Sequence, residues 1–230
     1  MARTLKEEDY TARRNDIIDA ALRLVYSKGY EKMTIQDILD DLKISKGAFY
    51  HYFGSKDAML GALVARIQDE VIQLLLPIIQ DTDLSALEKL EGYFLTTTRW
   101  KTIHKSLILA LIRAWYADDN AIVRQASYAS ASKVIAPLLS EIFSQGVREG
   151  VFTLSNPDRV GEVFLCLIQG IGEELGNQFL SFEPGQNDAQ IKGTIAIYTE
   201  AMERVLGAPT GSIHLIFTKS LENWFKENLI

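Results

Sequence analysis

Lys46, Gly47, Tyr50 and His51 stand close together in the run Ser45-Lys46-Gly47-Ala48-Phe49-Tyr50-His51-Tyr52-Phe53, with Ser55-Lys56-Asp57 just beyond it. On a helical wheel at about 100° per residue, Ser45, Phe49, Tyr52 and Phe53 fall on one side. Gly47 and His51 lie opposite, and Lys46, Ala48 and Tyr50 flank them. The aromatic side suits a core. The outward side is small, polar and cationic, which is the chemistry of base-edge and phosphate recognition. Ser55, Lys56 and Asp57 open a further helix, whose first N–H groups and lysine suit a phosphate.

These side chains need a rigid mount, and the preceding residues predict one. Thr34 is an expected N-cap, with Ile35, Ile38, Leu39 and Leu42 following at the spacing of an amphipathic helix. Ser45 signals a second start after only Lys43 and Ile44. So short a connection forces two helices to cross steeply, the geometry of a helix-turn-helix, and makes the second helix the candidate for a major groove.

The residues resemble the TetR-type family of bacterial transcriptional regulators. The resemblance rests on Gly29-Tyr30, Met33-Thr34, Asp37-Ile38, the run from Ser45 to Phe53, and Ser55-Lys56-Asp57, in order and without gaps. Two positions depart from the family pattern: Leu39 stands where alanine is usual, and Lys43 where glycine is usual. A left-handed lysine at the turn would cost on the order of 1 kcal/mol. The resemblance implies an all-α chain, with a three-helix helix-turn-helix domain and N-terminal arm over 1–56 and a larger helical ligand-binding and dimerisation domain over 57–230. It implies a homodimer on a pseudo-palindromic double-stranded DNA operator, acting as a repressor released by a small-molecule effector. Thr34, Ser45, Lys46, Gly47, Tyr50, His51 and Lys56 carry over as DNA-binding positions. Tyr50 and Lys56 are expected at phosphates, and Lys46, Gly47 and His51 on the base side. The family places Tyr93, Phe94, Trp100, Trp115 and Tyr116 beside its ligand cavity, and Arg113 and Gln169 are added to that set. The competing reading is a helical small-molecule-binding protein without DNA binding.

Along the chain, a first helix is expected over 14–27 after a polar arm carrying Arg3, Lys6, Arg13 and Arg14, with Gly29 as its C-cap. A long amphipathic helix over 55–80 links the head to the rest. Further helices are expected over 84–98, 102–117, 120–145, from Asn156-Pro157 onward, and over 188–206. The 102–117 segment has almost no polar face, which places it at the centre of the second domain, where a buried Arg113 would need a partner. By resemblance, the glycine-bearing helix after Pro157 and the 188–206 helix form the dimer interface. Ile213, Phe217, Leu221 and Trp224 predict a short last helix.

Composition excludes several classes. With 47% apolar and 23% charged residues in 230, the chain is globular rather than disordered. The net charge of −6 divides into ten Lys/Arg against nine Asp/Glu in residues 1–56 and fourteen against twenty-one beyond. Charge alone would therefore not suggest DNA. The apolar runs 107–112 and 163–168 are far shorter than the roughly 20 residues of a membrane span. The N-terminus has no apolar signal core, so no membrane contact and a cytoplasmic location are expected. His51, His104 and His214 are scattered, so neither a metal site nor a cofactor is expected. Gly170, Gly172 and Gly176 miss the dinucleotide spacing. The lone Cys166 reads as a buried, inert thiol rather than a nucleophile paired with His104, and no catalytic constellation points to an enzyme.

Overall fold

The computed structural model describes residues 2–116, 121–181 and 188–215, and every regular element among them is a helix. In chain order these are α1 (Ala2–Lys28), α2 (Ile35–Leu42), α3 (Lys46–Tyr52), α4 (Lys56–Gln80), α5 (Ala86–Ile103), α6 (Lys105–Tyr116), α7 (Ala121–Arg148), α8 (Pro157–Leu180) and α9 (Asp188–Leu206). The chain forms two compact units, one from Met1–Ile67 with Ser106–Ser127 and the other from Gln68–Lys105 with Tyr128–Ile230.

In the first unit α1 packs on α2, and α2 on α3. Ile17, Ile18, Ala21 and Val25 form the buried stripe of α1, and its chain leaves the helix through Gly29 at φ +80°, whose N–H bonds the Val25 carbonyl. That left-handed exit is one glycine adopts without steric penalty. The segment before residue 14, expected as an arm, is instead helical. It contains neither glycine nor proline and is rich in alanine, leucine, lysine, glutamate and arginine, all strong helix formers.

α6 also departs from expectation. It buries Leu107, Leu111 and Ala114 along one stripe, exposes Arg113, and groups with the first unit rather than at the centre of the second. Being solvated, Arg113 needs no buried counter-ion.

The second unit has an aromatic and aliphatic core in which Phe94 of α5, Phe143 of α7 and Phe164 of α8 meet, with ring centroids 4.9 Å apart for Phe143–Phe164 and 6.4 Å for Phe94–Phe164. α9 lies along α8 and adds Ile191, Ile195, Met202 and Leu206. The Ser85–Glu88 capping box starts α5, and the buried Lys89 Nζ donates to Gln145 Oε1 at 2.7 Å. Gln145 in turn donates to the Leu84 carbonyl and to Glu149, whose other oxygen accepts from Ala86 N. This closed circuit satisfies a lysine that burial would otherwise penalise.

The glycines of α8 serve different ends. A Cβ on Gly161 would lie 2.0 Å from the Ala136 carbonyl oxygen of α7, whereas one on Gly172 would meet nothing within 4 Å. Cys166, expected to be buried, is exposed. It lies between the inward positions Phe164 and Leu165 and the next turn, on the outer face with Val163. The expected last helix extends past residue 215 and, except for the buried Ile213, lies outside the described residues.

Because the Ala136 carbonyl is backbone and cannot swing aside, Gly161→Ala is expected to lower stability by about 2 kcal/mol or more despite alanine's better helix propensity. Urea unfolding at fixed protein concentration measures it, and an unchanged midpoint would refute the close-approach reading.

Candidate nucleic-acid interface

The mount begins at Thr34, whose extended backbone starts α2. Its Oγ1 accepts from Asp37 N at 3.2 Å, while Thr34 N and Thr34 Oγ1 each donate to Asp37 Oδ2 at 2.7 Å. Lys28 Nζ reaches the same carboxylate at 2.6 Å. The Lys28 hydrogen bond first, and then the Thr34 donors, pull the Asp37 carboxyl down to about 2. Both Thr34 donors are thereby engaged.

α2 ends at Lys43, which takes the left-handed conformation at φ 54° and ψ 40°. The Leu39 carbonyl accepts from both Lys43 N and Ile44 N, and Ser45 Oγ then caps α3 by accepting from Ala48 N at 3.2 Å. The expected left-handed lysine is therefore present, and the lost glycine is compensated by bonds on either side of it.

α3 buries Phe49, and Phe53 follows it into the core, while Ser45, Lys46, Gly47, Tyr50 and His51 are exposed. The Lys46 ammonium stands 6.0 Å from the Tyr50 ring centre. A Cβ on Gly47 would meet only Ser45 Oγ at 3.9 Å, so the fold leaves this position open and flat. Many cations of this unit are already paired: Arg13 with Asp16, Arg23 with Asp41, Lys28 with Asp37 and Arg66 with Asp19. Lys46 makes no ion pair among the described residues.

Lys56 sits at the first turn of α4, its Nζ donating to the Tyr30 carbonyl at 2.7 Å and lying 4.1 Å from the centre of the Tyr30 ring. The Tyr30 hydroxyl donates to Asp57 Oδ1 at 3.1 Å. Partial burial lowers the lysine's pKa, against the opposing pull of Asp57, Glu31 and Asp37. Burial first, and then Asp57, raises that of Tyr30.

The expected effector residues separate. Tyr93 and Phe94 lie in the core of the second unit, with ring centroids 5.4 Å apart, and burial raises the Tyr93 pKa. Buried Trp100 donates from Nε1 to Glu70 Oε1 at 3.0 Å and stacks on His104 at 4.4 Å. Gln169 is half-buried on α8, and Arg113 belongs to the other unit. The side chains of Trp115 and Tyr116, on the last turn of α6, lie outside the described residues. The sequence pattern singled out neither Glu70 nor Tyr10, and His104 stood there only as a possible metal ligand or a nucleophile's base. His104 follows Trp100 at the i, i+4 spacing of one helix face, a readable signal, but Glu70 comes from another helix and carried none.

Residues 17–63 match the family model of bacterial regulatory proteins, tetR family. YuxN, an uncharacterised HTH-type transcriptional regulator of Bacillus subtilis, is 44% identical over 62 residues, covering 27% of this chain but only 21% of its own length. The HTH-type transcriptional repressor NemR of Escherichia coli is 26% identical over 188 residues, covering 80% of this chain and 94% of NemR. A TetR transcription regulator from Haloarcula marismortui shares the fold at a TM-score of 0.58 and 18% identity, over 86% of this chain and 97% of that one. Residues 17–63 are thus a helix-turn-helix of the kind found in the tetR family of bacterial regulatory proteins, and most of the chain is similar to a DNA-binding transcriptional repressor of that type.

Two expectations follow from the mount. Lys43→Gly relieves left-handed strain and is expected to stabilise by about 0.5–1 kcal/mol after the loss from a more flexible unfolded chain, whereas Lys43→Val destabilises. Thermal unfolding decides it, and a destabilising glycine would be the contrary result. The Asp37 pKa is depressed on folding, so its contribution is complete above about pH 4 and is lost as pH falls towards 2. Asp37→Asn should flatten the acid limb of a stability–pH curve in that window, and an unaltered limb would remove Asp37 from the account.

Proposed function

We propose that this protein is a homodimeric repressor that holds a pseudo-palindromic DNA operator through α3 and releases it when a small molecule binds the second unit. The observation that carries this reading is the exposed row Lys46, Gly47, Tyr50 and His51 on a helix fixed by caps at its start and by Phe49 beneath. Lys46 and His51 supply donors to base edges, and the open Gly47 lets the helix approach them closely. Tyr50 contacts a phosphate from the flank. Lys56 keeps two ammonium N–H groups beyond the one given to Tyr30, and with the N-terminus of α4 it binds a second phosphate. Ser45 holds the N-terminus of α3, and Thr34 that of α2, presenting both to the backbone of the duplex.

The dimer supports this chemistry because two α3 helices about one DNA turn apart read two half-sites. Val163 and Leu180 of α8 and Ile197 of α9 are exposed apolar side chains, the material of a surface covered by a second copy. The effector reading centres on Trp100 with Glu70 and His104, in the same unit as the buried Tyr93 and Phe94. α4 contributes residues to both units and couples them, by no more than the effector's differential affinity for the two states. No helix among the described residues is long and apolar enough to cross a membrane, and the protein acts in the cytoplasm.

Selection from randomised duplex DNA with effector-free protein is expected to enrich a pseudo-palindrome, and absence of enrichment would overturn the reading. On that duplex, Lys56→Ala should weaken all sequences alike and reduce the salt slope by about one unit, while Lys46→Ala should also relax discrimination at one base pair by about 1–3 kcal/mol. An unchanged slope would remove Lys56 from the phosphate contacts.

A further inference from the structure

The stretch of α1 from Glu7 to Arg13 has no place in the core, since every residue in it is exposed. Its side chains nevertheless meet the recognition helix. The Tyr10 ring lies 5.7 Å from that of His51 at an interplanar angle of 79°, and 4.8 Å from that of Tyr52. One turn on, the Arg14 guanidinium lies 4.8 Å from the centre of the Phe53 ring. His51 also meets Tyr52 edge to face at 5.0 Å, so its imidazole has an aromatic neighbour on two sides.

An exposed histidine samples several rotamers, and freezing it on binding costs side-chain entropy. A base edge presents its donors and acceptors in fixed directions, so only some imidazole orientations can read it. Edge-to-face aromatic contacts favour particular ring orientations over others. We infer that Tyr10 is a positioning residue for base recognition: from outside the helix-turn-helix it orients the His51 imidazole, and so sets discrimination at the base pair beneath His51. This rests on the reading that His51 faces a base. It also gives the extended α1 a purpose that packing does not supply.

The test uses the full-length protein and the duplex enriched by selection, with each base pair of a half-site substituted in turn. Wild type is compared with Tyr10→Phe, Tyr10→Ala, Tyr10→Leu, His51→Ala and the Tyr10→Ala/His51→Ala double variant. Phenylalanine keeps the ring, while alanine and leucine remove it and remain strong helix formers. Tyr10→Ala and Tyr10→Leu should lose about threefold to tenfold discrimination at the base pair that His51→Ala affects, and Tyr10→Phe should stay within about twofold of wild type. In the His51→Ala background the tyrosine change should add nothing. The His51 imidazole proton resonance should shift in Tyr10→Ala and Tyr10→Leu but hold in Tyr10→Phe. Intact discrimination in both ring-removing variants, or an equal loss with and without His51, would overturn the role of Tyr10 while leaving His51 as a base reader. If His51→Ala itself left discrimination intact, the base-reading assignment would fail, and the inference with it.

Discussion

The reading head depends on one left-handed residue. Lys43 turns the chain between α2 and α3 so that only Lys43, Ile44 and Ser45 separate Leu42 from Lys46. An L-residue in that conformation costs about 1–2 kcal/mol, and helices of eight and seven residues do not persist alone. What holds the arrangement is local and redundant: the Thr34–Asp37 capping box, the Ser45 cap, two N–H groups on the Leu39 carbonyl, and Phe49 with no exposed surface. Each cap contributes about 1 kcal/mol, and burial of a phenylalanine about 1.5–3. Together they exceed the strain, which explains how the turn tolerates a lysine where glycine would fit more easily.

The same economy of position resolves the charge balance. A head with ten basic and nine acidic side chains in its first 56 residues has little net field. The aspartates do not cancel the cations evenly, however. Asp16, Asp19, Asp37 and Asp41 each hold a lysine or arginine that belongs to the scaffold. Lys46, on the exposed side of α3, has no such partner among the described residues. At physiological salt, charges more than about 8 Å apart are largely screened, so a polyanion responds to this local excess more than to the total of −6.

The parts of this design that were legible in the sequence are those encoded in short spacing. Thr34 and Ser45 mark helix starts by capping chemistry, Gly29 marks an end by its left-handed exit, and the i, i+4 pair Phe49 and Phe53 marks the buried side of α3. Periodicity reports only on helices that bury one face. From Glu7 to Arg13 α1 buries none, so a polar helix there read as an arm. α6 and Cys166 failed for the opposite reason: apolar composition measures what a segment could bury, and which side it does bury depends on neighbours remote in sequence. The Trp100–Glu70 bond and the Tyr10–His51 contact are of that kind, each joining helices that no local pattern connects.

The clamp at the start of α4 constrains how an effector signal could reach DNA. Lys56 donates to the Tyr30 carbonyl, Tyr30 donates to Asp57, and Met59, Leu60 and Leu63 are fully buried in the same unit. The start of α4 is therefore fastened to Tyr30, between α1 and α2, by charge and hydrogen bond, and its next turn is buried in the same unit. Under the proposed release mechanism the head cannot lag behind its end of α4. A reorientation arriving along that helix must turn α3 with it, because sliding past would break a charge-assisted bond and expose three core side chains. That cost, several kcal/mol by the usual scale of buried aliphatic groups, is larger than the 1–3 kcal/mol typical of coupling between sites. The head thus responds as one body, and Tyr10, carried on α1 within that body, keeps its hold on His51 through the movement.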